Sequence, residues 1–232
     1  MTWASAGDRT LHDRTVLVRV WDLPTRLFHW GVVALIVTAW VTQYENWMTL
    51  HMLGGYTMLA ALLFRLIWGM VGSDTARFRH FVRSPLAALI HLRNIRGQSA
   101  DAEVGHNVAG GWMVLVMLLL LMVQVGSGLC ANDEISVEGP LAHVVGSHAS
   151  DWLSHIHAVN FDFIEAAIVL HVLAIAAYRA LRGQNLVLPM ITGNKRLPTD
   201  IPQPRMAKPA LALALFVVTS GLVAFGVGWF GG

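Results

Sequence analysis

Five apolar runs, at about 28 to 44, 50 to 71, 108 to 131, 158 to 178 and 209 to 229, alternate with shorter polar stretches along the chain. Each approaches the roughly 20 residues that a helix needs to cross the hydrocarbon of a bilayer. The pattern predicts an all-α integral membrane bundle in one compact domain. An amino-terminal segment covers 1–27, four spans cover 28–182, a linker covers 183–208, and a fifth span covers 209–232. Within this frame "SPLAALIHLRNI" (84–95) alternates apolar and basic residues and predicts a short amphipathic helix along the membrane surface. "TGNKRLPTDIPQPRMAKP" (192–209) is punctuated by prolines and reads as a linker into the fifth helix.

Composition agrees with a membrane protein: 55% of residues are hydrophobic and 13% charged. Residues 1–27 lack a short apolar core followed by a small-residue cleavage site, so the first span is expected to stay as an anchor. Lysine and arginine set the orientation, because they gather on the cytoplasmic side. All of them fall in the amino-terminal tail, at Arg65, in the loop between the second and third spans, or between the fourth and fifth spans. The opposite loops hold Glu45, Asp133, Glu134, Glu138 and Asp151. These charges predict a cytoplasmic amino terminus, a periplasmic carboxyl terminus and an acidic outer face, in a bacterial inner membrane. The lone Cys130 excludes an intramolecular disulfide and a Cys-x-x-Cys-His site for covalent haem. No nucleophile paired with a base and no phosphate-binding glycine loop is present, and nothing points to nucleic acid.

The fourth span keeps a histidine at each end, His157 and His171 in "HAVNFDFIEAAIVLH". An imidazole in hydrocarbon loses its hydration and must recover that cost through a hydrogen bond or a metal. Fourteen residues at about 100° each come within roughly 40° of four turns, so both rings project from one face, about 21 Å apart along the axis. His29 stands at the cytoplasmic start of the first span and shares a level with His171; His51 starts the second span at the outer side and shares one with His157. Neutral imidazole is a good ligand for iron, and haem iron takes two axial ligands from opposite sides. Two bis-histidine b-type haems would account for all four histidines together, whereas hydrogen bonding must explain each separately. Gly54 and Gly55 follow His51 by three and four positions, where a missing side chain would let a flat macrocycle approach, although membrane helices favour small residues at contacts anyway. Arg65, fourteen residues after His51, lies on the same face and suits a haem propionate; a snorkelling arginine is the alternative. Glu165 is read either as a proton relay or as a buried acid bonded to a neighbouring helix. Ser220, Ala224 and Gly228 give the fifth helix a face of small residues for close contact with its own bundle, a second copy or a partner's anchor.

"VRVWDLPTRLFHW", "HMLGGYTMLAALLFRLIWG", "GHNVAGGW" and "IHAVNFDFIEAAIVLHVLAIAAYRALRGQNLVLPMITGNKR" together resemble the bacterial cytochrome b-561 family, which includes the cytochrome b subunits of nickel-iron hydrogenases. The resemblance runs over roughly residues 17 to 197 and implies a four-helix dihaem core, with the fifth helix outside it. Carried over by position, it implies His29 and His171 as ligands of an inner haem and His51 and His157 as ligands of an outer one. The helical angle also prefers His157 to His155, which would point about 160° away from His171. By further resemblance to the gamma subunit of formate dehydrogenase, quinone is expected beside the inner haem near Asn107, with His106 adjacent. An asparagine there would equally cap the third span.

The expected function is electron transfer between a periplasmic redox partner and the quinone pool. A c-type cytochrome with a basic haem edge would suit the acidic outer loops. Two alternatives lie within the family: the membrane subunit of a nickel-iron hydrogenase, and a superoxide:quinone oxidoreductase, which the absence of outer lysine and arginine disfavours. A different class is a histidine-lined transporter of metal ions or protons, with His143, His148 and His155 as a capture site. Their spacing fits no standard zinc pattern.

Overall fold

A computed structural model describes residues 15–93, 103–133 and 137–230. Arg9, Arg14, Arg96 and Glu134, used above for orientation, lie outside the described residues, as do His12 and the side chain of His91. Five of the described helices are long and apolar enough to cross a membrane. They are α1 (Leu23–Tyr44), α2 (Met48–Val71), α5 (Val108–Gly128), α7 (Ser147–Arg182) and α9 (Pro209–Phe230). Shorter helices α3 (Phe78–Phe81), α4 (Pro85–Arg93), α6 (Ala142–Val145) and α8 (Val187–Thr192) lie in the connections. The expected amphipathic segment forms α4, which rests on α5.

Local chemistry sets the helix ends. Asp22 caps α1, accepting at 2.7 Å from the Thr25 N–H, and Pro24 occupies the first turn, where its missing N–H costs nothing. The helix therefore starts five residues before the apolar run. The other oxygen of Asp22 accepts from the Trp68 indole at 3.1 Å and ties α1 to the far end of α2. Asp22→Ala removes a cap and orphans a buried indole N–H, and is expected to cost about 2 to 4 kcal/mol in a denaturant titration of the solubilised protein.

One expected bound changes. The fourth helix begins at Ser147 rather than near 158, because the polar stretch "SHASDWLSHIH" is helical without being lipid-soluble. At 36 residues α7 is about 54 Å long, well beyond the roughly 30 Å of hydrocarbon, so it projects past one end of the bundle. Gly183, at φ 65°, ends it. The linker at 183–208 carries structure of its own: after α8, strand β2 (Asn194–Pro198) pairs antiparallel with β1 (Thr15–Arg19). Val18 and Leu197, both fully buried, pack there with Val20 and Trp21. Gly193 makes the corner at φ 85°, its carbonyl accepts from the Val20 and Trp21 amides, and a Cβ would meet the Trp21 carbonyl at 2.8 Å.

The spans associate in pairs. α1 packs on α2 and α5 on α7, while α2 and α5 join the pairs around a core of Val32, Met58, Leu62, Leu118, Leu121, Val125 and Ile164. α9 packs on α2, but through Ala212, Thr219 and Val223 rather than the expected face of small residues. Ala224 and Gly228 stay exposed and Ser220 is half-buried.

Candidate functional site

The four membrane histidines meet in two pairs. At the basic end of the bundle the rings of His29 on α1 and His171 on α7 have centroids 6.4 Å apart. At the acidic end, His51 on α2 and His157 on α7 stand 6.2 Å apart. The apolar core lies between the two levels. A metal–imidazole bond of about 2.0 Å, plus about 1.1 Å from ring nitrogen to ring centre, would put two imidazoles on opposite sides of one metal about 6.2 Å apart, so both separations suit a shared metal.

Hydrogen bonding at the acidic end prepares the rings for that role. His51 Nδ1 donates to the Ala39 carbonyl at 3.0 Å, and His157 Nδ1 donates to the Gln124 carbonyl at 2.8 Å. A carbonyl only accepts, so the proton sits on Nδ1 and the lone pair on Nε2 is left for a metal. The two clamps repeat one design. Thr42 lies three residues after Ala39, Ser127 lies three after Gln124, and each hydroxyl approaches the ring nitrogen at 3.4 Å while donating back to its own helix. Gly128 completes the second clamp, because a Cβ there would meet His157 Cε1 at 2.7 Å. At the basic end His29 Nδ1 is buried without a partner.

Haem fits this donor set. A Cβ built on the half-buried Gly31, Gly54 or Gly55 meets no atom within 4 Å, so open space adjoins these backbones that a flat macrocycle could occupy. Arg65 is 2% exposed, with its Nη1 lacking a hydrogen-bond acceptor and its guanidinium 4.8 Å from the centre of the Phe78 ring. Arg65 is thus buried at full length and does not snorkel.

Asn107 caps α5, its side-chain oxygen accepting from the Gly110 N–H at 2.7 Å. His106 beside it is held between Trp21, 4.5 Å away, and Phe81, 4.7 Å away, with its Nδ1 buried and unpartnered. Burial, with the charge of Arg65 adding to it, pushes the His106 imidazole down to about 3 and keeps it neutral.

The remaining candidates lie apart from these pairs. Glu165 is exposed on the flank of α7 rather than buried against a neighbour. His143, His148 and His155 are also exposed, and no group of three metal-ligating side chains occurs among the described residues. At the acidic end a cavity of about 410 Å³ is lined by Asn132, Glu138, His143, Ser150 and Asp151. The Ala39/Thr42 and Gln124/Ser127 clamps and Gly128 were not anticipated from the sequence. The repeated three-residue step from carbonyl to hydroxyl is a signal that could have found the clamps.

Neither the curated proteins nor the solved structures contain a match to the chain. A model of the family described as prokaryotic cytochrome b561 matches residues 20–193, a stretch that includes all four paired histidines, Arg65 and His106. With three quarters of its length so matched, the chain belongs to the prokaryotic cytochrome b561 family, membrane proteins that carry electrons on haem b.

Proposed function

We propose that the protein passes electrons across a bacterial inner membrane through two b-type haems, between a c-type cytochrome on its acidic face and quinone at its basic end. The observation that carries the reading is the pair of imidazole separations, 6.4 and 6.2 Å, set at opposite ends of one apolar core. His29 and His171 hold the inner haem, and His51 and His157 hold the outer. Gly54 and Gly55 would admit the outer macrocycle, and Arg65 would face the edge of the inner one. The haem irons supply one-electron chemistry; the chain fixes their spacing and shuts out water with Val32, Leu62, Leu121 and Ile164.

Quinone is assigned to the His106 side of the inner haem. The neutral imidazole offers a ring nitrogen to a quinone oxygen, whereas the side-chain oxygen of Asn107 is committed to its cap and only its amide N–H groups could assist. Quinol oxidised there releases two protons and two electrons, and two c-type cytochromes each accept one electron; the reverse stoichiometry holds for quinone reduction. Glu45, Asp133, Glu138 and Asp151 are exposed at the opposite end and favour a basic haem edge.

The purified protein is expected to be red, with about two haems per chain by the pyridine haemochromogen assay. In quinol-containing vesicles it should reduce an added c-type cytochrome, and the rate should fall several-fold as ionic strength is raised through the range where the Debye length drops from about 30 to about 8 Å. A colourless folded preparation would sink the reading. A rate indifferent to salt would remove the cytochrome partner alone.

A further inference from the structure

The described side chains leave a one-sided set of polar atoms buried without hydrogen-bond partners: Thr25 Oγ1, Arg26 Nε, His29 Nδ1, Arg65 Nη1, Thr75 Oγ1 and His106 Nδ1. Every one lies at the basic end of the bundle. Buried polar groups rarely stay unsatisfied, and a buried guanidinium least of all, so this end is suited to receive an acceptor that the described residues do not supply. Asp22 lies near enough to attract Arg65, but its two oxygens already serve the Thr25 amide and the Trp68 indole. The guanidinium carbon lies over the Phe78 ring at 4.8 Å and over the Phe28 ring at 6.0 Å, and neither ring supplies a hydrogen-bond acceptor for Nη1. Phe28 directly precedes His29 on α1, which brings Arg65 to the level of the inner pair.

The acidic end differs in kind. There both ring N–H groups are satisfied by backbone carbonyls, and its loops contain no lysine or arginine. Carbonyl acceptors make an imidazole a stronger donor to iron, and nearby carboxylates oppose an added electron. At the basic end a guanidinium, charged at any physiological pH, favours one.

We propose that Arg65 seats a carboxylate of the inner haem and thereby holds the reduction potential of that haem above the potential of the outer one. The inference rests on the dihaem reading given above. Arg65 is here a positioning and tuning residue; it takes no part in iron ligation. Its consequence for function is that an electron rests preferentially on the haem beside the proposed quinone site.

A redox titration of the full-length holoprotein, followed in the visible α-band, tests this. The inner component is identified as the one missing from His171→Ala. Arg65→Gln should keep two haems per chain and lower the ferrous-to-ferric ratio of the inner component about tenfold at fixed ambient potential, about 59 mV for one electron, with the outer component unmoved. Arg65→Lys should keep the inner component within about threefold of wild type, because the charge is retained. An unshifted inner component in Arg65→Gln, or equal shifts in both components, would overturn the proposal. If the glutamine variant fails to fold, a tenfold drop in Arg65→Lys would overturn it equally. A wild-type protein with fewer than two haems would instead defeat the dihaem reading, a distinguishable outcome.

Discussion

His171→Ala is expected to yield a folded protein with one haem per chain in place of two, the survivor being the outer haem. With no covalent attachment available, an inner macrocycle on the proposed reading would be held by two iron–nitrogen bonds and by packing, and the variant would remove one of those bonds. The substitution also exchanges a half-buried ring for a methyl on a helix whose packing surface, Asn160, Ile164, Ala167 and Tyr178, is untouched, so the bundle should survive. His157 lies about 21 Å further along α7, beyond the range at which substitutions ordinarily couple, and its clamp to Gln124 does not involve residue 171. His29→Ala should give the same single-haem spectrum from the other side of the pair. Millimolar imidazole should restore the inner component in either variant, since it replaces the missing donor. Pyridine haemochromogen counts with potentiometric resolution of the α-band provide the measurement. Loss of both haems from a variant that remains monodisperse would show that the levels are not independent.

Much of this was legible in the sequence because one periodicity and one length survive translation into structure without tertiary help. The 3.6-residue repeat puts His157 and His171 on one face wherever α7 lies, and apolar length sets the depth of His29 and His51, so the two pairs could be anticipated before any helix was placed. Lipid solubility is a poor guide to where a helix starts, however. Hydropathy put the fourth span at 158, but the chain is helical from Ser147, and Asp22 with Pro24 start α1 ahead of its apolar run. The β1–β2 pairing was hidden for another reason: its partners lie about 180 residues apart, and neither five-residue strand has a turn beside it to announce the other. For Asn107 the sequence left capping and quinone contact equally open, and the observed bond to Gly110 shows the cap in place. Arg65 shows where pattern reading ends. Spacing put it on the face of His51, but its burial between two phenylalanines and its unmatched Nη1 come from α1, α2 and α3 meeting, which no local window contains.

Gly128→Ala should damage the outer haem alone, and Gly126→Ala, two residues away on the same helix, should do nothing. The added methyl at 128 would sit 2.7 Å from Cε1 and 2.9 Å from Nδ1 of His157, closer than real side chains approach. One side of the contact must move. α5 is fixed there by the Ser127 hydroxyl bonded to Val123 and by the Gln124 amide donating to the His157 carbonyl, so the imidazole is the part that yields. Turning it breaks the 2.8 Å bond from Nδ1 to the Gln124 carbonyl, which holds the proton on that nitrogen and the lone pair on the other. Losing such an orienting partner ordinarily lowers metal affinity by about 10- to 100-fold, enough to strip a non-covalent haem during purification. At Gly126 a Cβ meets nothing within 4 Å, so the same chemical change carries no steric consequence and controls for helix propensity. Two full haem complements in both variants would mean that the ring does not need its clamp. A loss shared by both would trace the effect to α5 rather than to the space that Gly128 leaves for His157.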